Sequence, residues 1–144
     1  MRILSILPYK EHQNGAVALT VSDFAKHSKY DRTLTGGNYL SFDGRYNRVD
    51  YQPFFLQSKT KQYLQNLIPL INSGEYDLVE VHNRPNYVHY LKSRGIKLPI
   101  NLFFHNDPLT MTGSKITSER KGLLESCNNI FFVSDYIRGQ FGFN

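Results

Sequence analysis

Two histidines close apolar runs in this chain. In YDLVEVHNRPN, residues 76–86, His82 is followed at once by Asn83 and Arg84. In PINLFFHNDP, residues 99–108, His105 is followed by Asn106 and Asp107. An imidazole two residues from a carboxylate, as in His105 and Asp107, is the material of a general acid–base pair. His82, His105 and Asp107 could also be metal ligands. They lie on separate strands, however, and follow neither an HExxH nor a Cys/His spacing, so hydrogen bonding is the plainer role and no metal is expected. Arg84 can grip a phosphate or carboxylate with two parallel N–H groups, or serve in an ordinary surface ion pair. Asn83 with Pro85 can equally be a turn. Near the start, QNGA places Gly15 just before a helical pattern. Such a glycine is either a turn residue or one that lets a phosphate approach the helix N-terminus. Ser134 before Asp135 fits a helix cap as well as a ligand contact. Cys127, the single cysteine, sits in an apolar helical stretch and reads as a buried thiol rather than a nucleophile.

Several chemistries are excluded by pattern. There is no GxGxxG, no phosphate-binding P-loop and no GxSxG, so a complete dinucleotide-binding fingerprint, an NTPase and a hydrolase triad are all unsupported.

Six stretches read as strands: Arg2–Leu7, Arg32–Thr35, Val49–Phe55, Asp77–Val81, Pro99–His105 and Ile130–Ser134. Most are near-continuous apolar runs, the mark of strands covered on both faces in a parallel sheet. Helical spacing lies between them. It is carried by Val17, Val21, Phe24 and Ala25; by Leu64, Leu67, Ile68 and Ile71; by NYVHYLKSRG; and by Ile116, Leu123, Leu124 and Cys127. Pro69 should kink or shorten the second helix, with Gly74 as its stop. The segment TGGNYLSFDGRYNR, Thr35 to Arg48, reads as a long loop, either an active-site flap or a plain connection. The order β-α-β-β-α-β-α-β-α-β predicts one doubly wound α/β domain with a mainly parallel sheet flanked by helices.

With 144 residues, a 40% hydrophobic fraction and a 20% charged fraction, the chain suits one globular domain. Its net charge of +5 suits anionic ligands or an anionic membrane surface, as well as plain solubility. No Lys/Arg block of the nucleic-acid type is present. No apolar run is long enough to span a membrane, and MRILSILPYKEH turns polar too soon for a secretory signal, so a cytoplasmic location is expected. The single cysteine suits that reducing compartment. Lys59 and Lys61 flank an apolar helix face. That pattern fits a core-facing helix with a solvated flank, and also a peripheral helix on the inner face of a membrane.

In an open α/β sheet, ligands bind beyond the carboxyl ends of the strands. The segments leaving those ends carry His12, Gly15, His82–Arg84, His105–Asp107 and Ser134, whereas the entering segments GEY, GIKL and CNN are plain. The polar chemistry is gathered at one edge.

The ordered set ILSILPYKEHQNGAVALTVSDFAK, YDLVEVHNRPNYVHYL, LFFHNDP and GLLESCNNIFFVSDYIRGQF resembles the N-terminal, Rossmann-like domain of GT-B glycosyltransferases of the retaining family 4 type. The resemblance covers nearly the whole chain and implies one N-terminal, acceptor-side domain over residues 1–144. It implies transfer of a sugar, with retention, from a nucleotide-diphosphate sugar to a glycan or lipid-linked acceptor, as in polysaccharide or lipopolysaccharide biosynthesis. No other cofactor is implied. Gly15 matches the glycine beside the donor diphosphate, although many members carry two adjacent glycines where this chain has Asn14 and Gly15. His105 matches the catalytic-cleft histidine near the sugar. Asn83 and Arg84 match the acceptor-side exit of the fourth strand, with Asn106 and Asp107 beside His105 as further substrate contacts. Ser134 matches the serine that closes the domain. The resemblance also implies a C-terminal donor-binding domain with an E-x7-E pair, for which these residues have no room, so the chain alone is expected to be inactive. The alternative expectation is a non-catalytic α/β module that recognises an acceptor or a partner subunit. An unrelated flavodoxin or response-regulator domain would need an acidic cluster or phosphate loop after the first strand, which is absent from the sequence.

Overall fold

The computed structural model describes residues 1–11, 14–37, 46–48 and 56–143, with backbone only at 46–48. The strands are β1 (Arg2–Ile6), β2 (Asp31–Gly36), β3 (Tyr46–Arg48), β4 (Leu78–His82), β5 (Ile100–Phe104) and β6 (Asn129–Phe132). The helices are α1 (Ala16–His27), α2 (Lys59–Ile71), α3 (Pro85–Ser93), α4 (Thr117–Ser126) and α5 (Asp135–Phe141), with a single 3-10 turn at Pro108–Thr110. The strands form one sheet in the order β3-β2-β1-β4-β5-β6. Every neighbouring pair is parallel. This is the doubly wound Rossmann-like α/β fold, whose strand order reverses between β1 and β4 and so opens a crevice above that point.

The sheet is covered unequally. Leu4, Ile6, Val79, Val81, Ile100, Leu102 and Phe104 point to one face and form a single core with residues of α2, α3, α4 and α5. On the other face Leu7 and Leu34 pack against Val17, Ala18 and Val21 of α1. Because side chains alternate along a strand, this α1 face also receives Ser5, Arg32, Glu80, His82, Asn101 and Phe103. The outer part of that face stays partly open, with Phe131 42% exposed.

Local chemistry explains the boundaries. Ser58 caps α2 through the Lys61 N–H, 3.2 Å from its Oγ, and Pro69 is tolerated because it falls in the last turn. The helix stops at Ile71, before Gly74. α3 starts with Pro85 at a position where no N–H is needed. It ends in a Schellman motif: the Ile96 N–H donates to Leu91 O at 3.2 Å and the Gly95 N–H to Lys92 O at 3.0 Å. Gly95 supplies the left-handed φ of +78°.

Three sequence expectations are corrected. Residues 46–48, inside the segment read as a loop, form a short parallel edge strand beside β2. The strand read at Val49–Phe55 lies outside the described residues. In α4 only Leu123 is fully buried, while Leu124 is 48% and Ile116 59% exposed, because the helix sits at the rim of the core and offers it a narrow stripe. In α1, Phe24 is likewise exposed, and Ala18 takes the buried position. No helix among the described residues is long and apolar enough to cross a membrane.

Gly113 sets the loop after β5 against α3. A Cβ there would lie 2.6 Å from the Asn86 backbone nitrogen, and the residue already has φ +95°. Gly113→Ala is therefore expected to cost more than the ~1–2 kcal/mol of an ordinary left-handed alanine. Gly95→Ala, with open space around its Cβ, should cost no more than that. Urea unfolding of the two variants checks the ranking.

Candidate functional site

The carboxyl edge is stitched together by Asn83. It follows β4 with φ +58°, a left-handed conformation that asparagine tolerates better than most residues. Its Oδ1 accepts the N–H groups of His105, at 3.2 Å, and Asn106, at 3.3 Å. Its own N–H donates to Phe103 O at 2.7 Å. The Asn83 side chain is buried and holds the exits of β4 and β5 in register, so its Oδ1 acts on the backbone of this edge.

Arg84 leaves the same turn on the other side. Its guanidinium donates to Asn83 O at 2.7 Å and lines a cleft of about 370 Å³ with Lys10, Asn86, Thr110 and Thr112. Tyr9 and Tyr87 also line the cleft, and Tyr63 stands behind them. Tyr63 packs between Tyr9 and Tyr87 at ring distances of 5.3 and 6.1 Å, and its hydroxyl donates to Leu7 O at 3.0 Å. Tyr87 Oη accepts the Tyr9 N–H at 3.1 Å. Burial pushes the Tyr87 phenol up and outweighs the Tyr9 N–H, which favours the phenolate, so the hydroxyl stays protonated. The loop after β1 is thereby fixed to α2 and α3, and Lys10 is presented beside Arg84.

His105 lies next to the cleft but does not line it. Its half-buried imidazole meets His82, with Nε2 3.2 Å from His82 Nδ1. Burial lowers its pKa to about 4, with the neighbouring His82 adding to the effect. His82 is fully buried and stacks on Phe103 at 4.7 Å. Burial lowers its pKa as well, against the opposing pull of Glu80. Behind His82 a buried charge pair joins Glu80 to Arg32, and Ser5 Oγ donates to Glu80 at 3.0 Å. Burial alone would raise the Glu80 pKa; contacts with His82 and Arg32 outweigh it and hold the carboxyl below its ordinary value.

The other expected site residues are placed as follows. Asp107 Oδ1 accepts the Leu109 N–H at 2.8 Å and caps the 3-10 turn, so its carboxylate is turned to the backbone and does not join His105 as an acid–base pair. Asn106 is exposed beside His105. Ser134 caps α5 through the Ile137 N–H at 3.3 Å. Gly15 stands at the N-cap of α1 with φ −70°, a conformation open to any residue. Its immediate neighbour Asn14 is described, while His12 lies outside the described residues. Burial pushes the Cys127 thiol up to about 12, which suits the inert role expected of it. The carboxyl edge thus brings together Asn83, Arg84, His105, Asn106 and Asp107. Sequence reasoning missed Lys10, the three tyrosines and the Arg32–Glu80 pair. The last had a signal: Glu80 interrupts an apolar strand two residues before His82, which puts both on one face.

The chain matches no protein-family model and no curated protein.

The histidines make folding acid-sensitive. Each binds a proton less readily in the folded chain than at the ordinary imidazole value of 6.5. Below that value the unfolded chain takes up protons that the native site refuses, so stability falls with pH. For His105 the loss runs from 6.5 down to about 4. Glu80, ionised more readily when folded than its ordinary 4.5, adds to the loss at still lower pH. Urea midpoints measured from about pH 7 to about pH 4 should decline, and His105→Gln should flatten part of that slope. An unchanged slope in the variant would contradict the buried-imidazole account.

Proposed function

We propose that this chain is the acceptor-side Rossmann-like half of a retaining GT-B glycosyltransferase that moves a sugar from a nucleotide-diphosphate sugar to a glycan or lipid-linked acceptor. The observation that carries the reading is the carboxyl edge of the parallel sheet. There a cationic cleft with Lys10 and Arg84 lies beside a neutral histidine, at the reversal of strand order where such sheets bind ligands.

The division of labour follows from chemistry. Loss of a diphosphate leaving group is helped by positive charge and N–H donors already in place. Gly15 and the start of α1 would contribute there, and a separate donor-binding domain would supply the rest. Arg84 and Lys10 would hold anionic groups of the acceptor, and the half-exposed His105 would contact the sugar. Ser134, capping α5, would shape the rim, while Asn106 would be available for a hydroxyl. Metal is not required by this scheme. A lipid-linked acceptor would bring the domain to the inner face of a membrane as a peripheral protein.

The edge can be tested in the chain itself. Backbone amide shifts of the labelled protein, titrated with inorganic pyrophosphate as a plain anion, should move at Lys10, Arg84 and Asn86 and at Gly15 with the start of α1. Removing the Arg84 side chain should weaken that binding by about tenfold or more, the worth of a charge-assisted hydrogen bond. Shifts confined to the opposite edge, around Tyr76 and Ile96, would overturn the placement.

A further inference from the structure

Glu80, His82 and His105 form a line that starts under α1 and ends at the carboxyl edge. Glu80 is anchored at the inner end by Arg32 and by Ser5, whose hydroxyl also accepts from Arg32 at 3.2 Å. His82 Nε2 lies 3.7 Å from Glu80 Oε2, beyond a hydrogen bond, and is a buried atom without a hydrogen-bond partner. At the outer end His82 Nδ1 and His105 Nε2 are 3.2 Å apart. With both rings neutral, one nitrogen of that contact must donate and the other accept.

The carboxylate decides which. A lone pair on His82 Nε2 would face an anion 3.7 Å away, too close for a water to lie between them, in surroundings where charges are weakly screened. An N–H there is attracted instead. The proton of His82 therefore belongs on Nε2, and its Nδ1 is the acceptor. His105 must then donate from Nε2, which leaves a lone pair on His105 Nδ1. Among the described residues nothing bonds to that nitrogen.

We propose that Glu80 and His82 are positioning residues that lock His105 as an Nε2-protonated imidazole, so that its free Nδ1 presents only a hydrogen-bond acceptor to ligand. Such an atom accepts a hydrogen bond from a hydroxyl and repels the oxygens of a phosphate or carboxylate. The edge is thereby divided: anionic groups go to Arg84 and Lys10, hydroxyl groups to His105. That the hydroxyl is a sugar's rests on the glycosyl-transfer reading; the proton placement does not.

Long-range proton–nitrogen correlation spectra of the labelled chain at neutral pH read each ring's tautomer directly. Both His82 and His105 should be neutral with the proton on Nε2. The double variant Arg32→Met with Glu80→Leu removes the charge pair without leaving either partner alone. Provided it keeps the dispersed spectrum of the parent, it should lose the single tautomer at both rings, a change that a merely structural role for Glu80 would not produce. A proton on Nδ1 of either ring in the parent chain would overturn the proposal. So would tautomers unchanged in the double variant. Failure of the sugar reading would leave both spectra as expected, so the two failures are distinguishable.

Discussion

Glu80→Ala is expected to destabilise the chain by about 3–5 kcal/mol. Its carboxylate is 4% exposed and its partner Arg32 13% exposed, so the pair is shielded from water on both sides. Removing one partner leaves a guanidinium in the sheet with no opposite charge, and the cost is chiefly that stranded charge rather than a lost attraction. Small domains have about 5–15 kcal/mol in total, so the variant should lie near the limit of folding. Arg32→Met with Glu80→Leu should be far closer to the parent, since neither charge remains. Denaturant unfolding of the single and double variants decides between this account and one in which Glu80 is merely a core-filling residue. Equal losses in both would favour the second.

Tyr63→Ala carries the other large expectation. The ring is fully buried, packs between Tyr9 and Tyr87, and anchors the loop after β1 through Leu7 O. Loss of a buried aromatic typically costs about 3–5 kcal/mol. Tyr63→Phe keeps the packing and gives up the hydroxyl contact, at a cost of about 1 kcal/mol. The two variants separate packing from anchoring. If the hold of the Tyr63 hydroxyl on the loop at Leu7 is what presents Lys10 to the cleft, Tyr63→Phe should weaken pyrophosphate binding while unfolding nearly as the parent does. Parent-like binding would assign Tyr63 to stability alone.

The fold was legible because its signals are local. Apolar runs such as LVEVH and NLFF mark buried parallel strands, and the spacing of Leu64, Leu67 and Ile71 marks a helix stripe. Where the sequence misled, geometry decided. Leu124 has helical spacing but faces outward because α4 lies at the rim. Residues 46–48 have turn-rich neighbours, yet β2 offers them an open edge to pair with. The site was legible in its location more than in its roles. Strand exits are visible in a sequence, so His105 and Arg84 could be placed at the carboxyl edge, where both lie. What Asn83 and Asp107 bond to depends on turn geometry, and both have side-chain oxygens on backbone N–H groups. The Arg32–Glu80 pair depends on strand order, because β2 and β4 are brought together only across β1. The tyrosine cluster joins the loop after β1 to tyrosines more than fifty positions further on and has no local trace at all.

The central claim is that this domain supplies the acceptor side of a retaining sugar transfer. Its most direct measurement is a transfer assay against a panel of nucleotide sugars, with the anomeric configuration of the product read by NMR. The 144 residues should be tested alone and, as the extended chain, within the whole coding sequence that contains them. The account predicts no transfer by the domain alone, retained configuration in the product of the extended chain, and a lower rate on His105→Ala. Sugar transfer by the 144 residues alone, an inverted product, or an extended chain that transfers no sugar from any donor would contradict it.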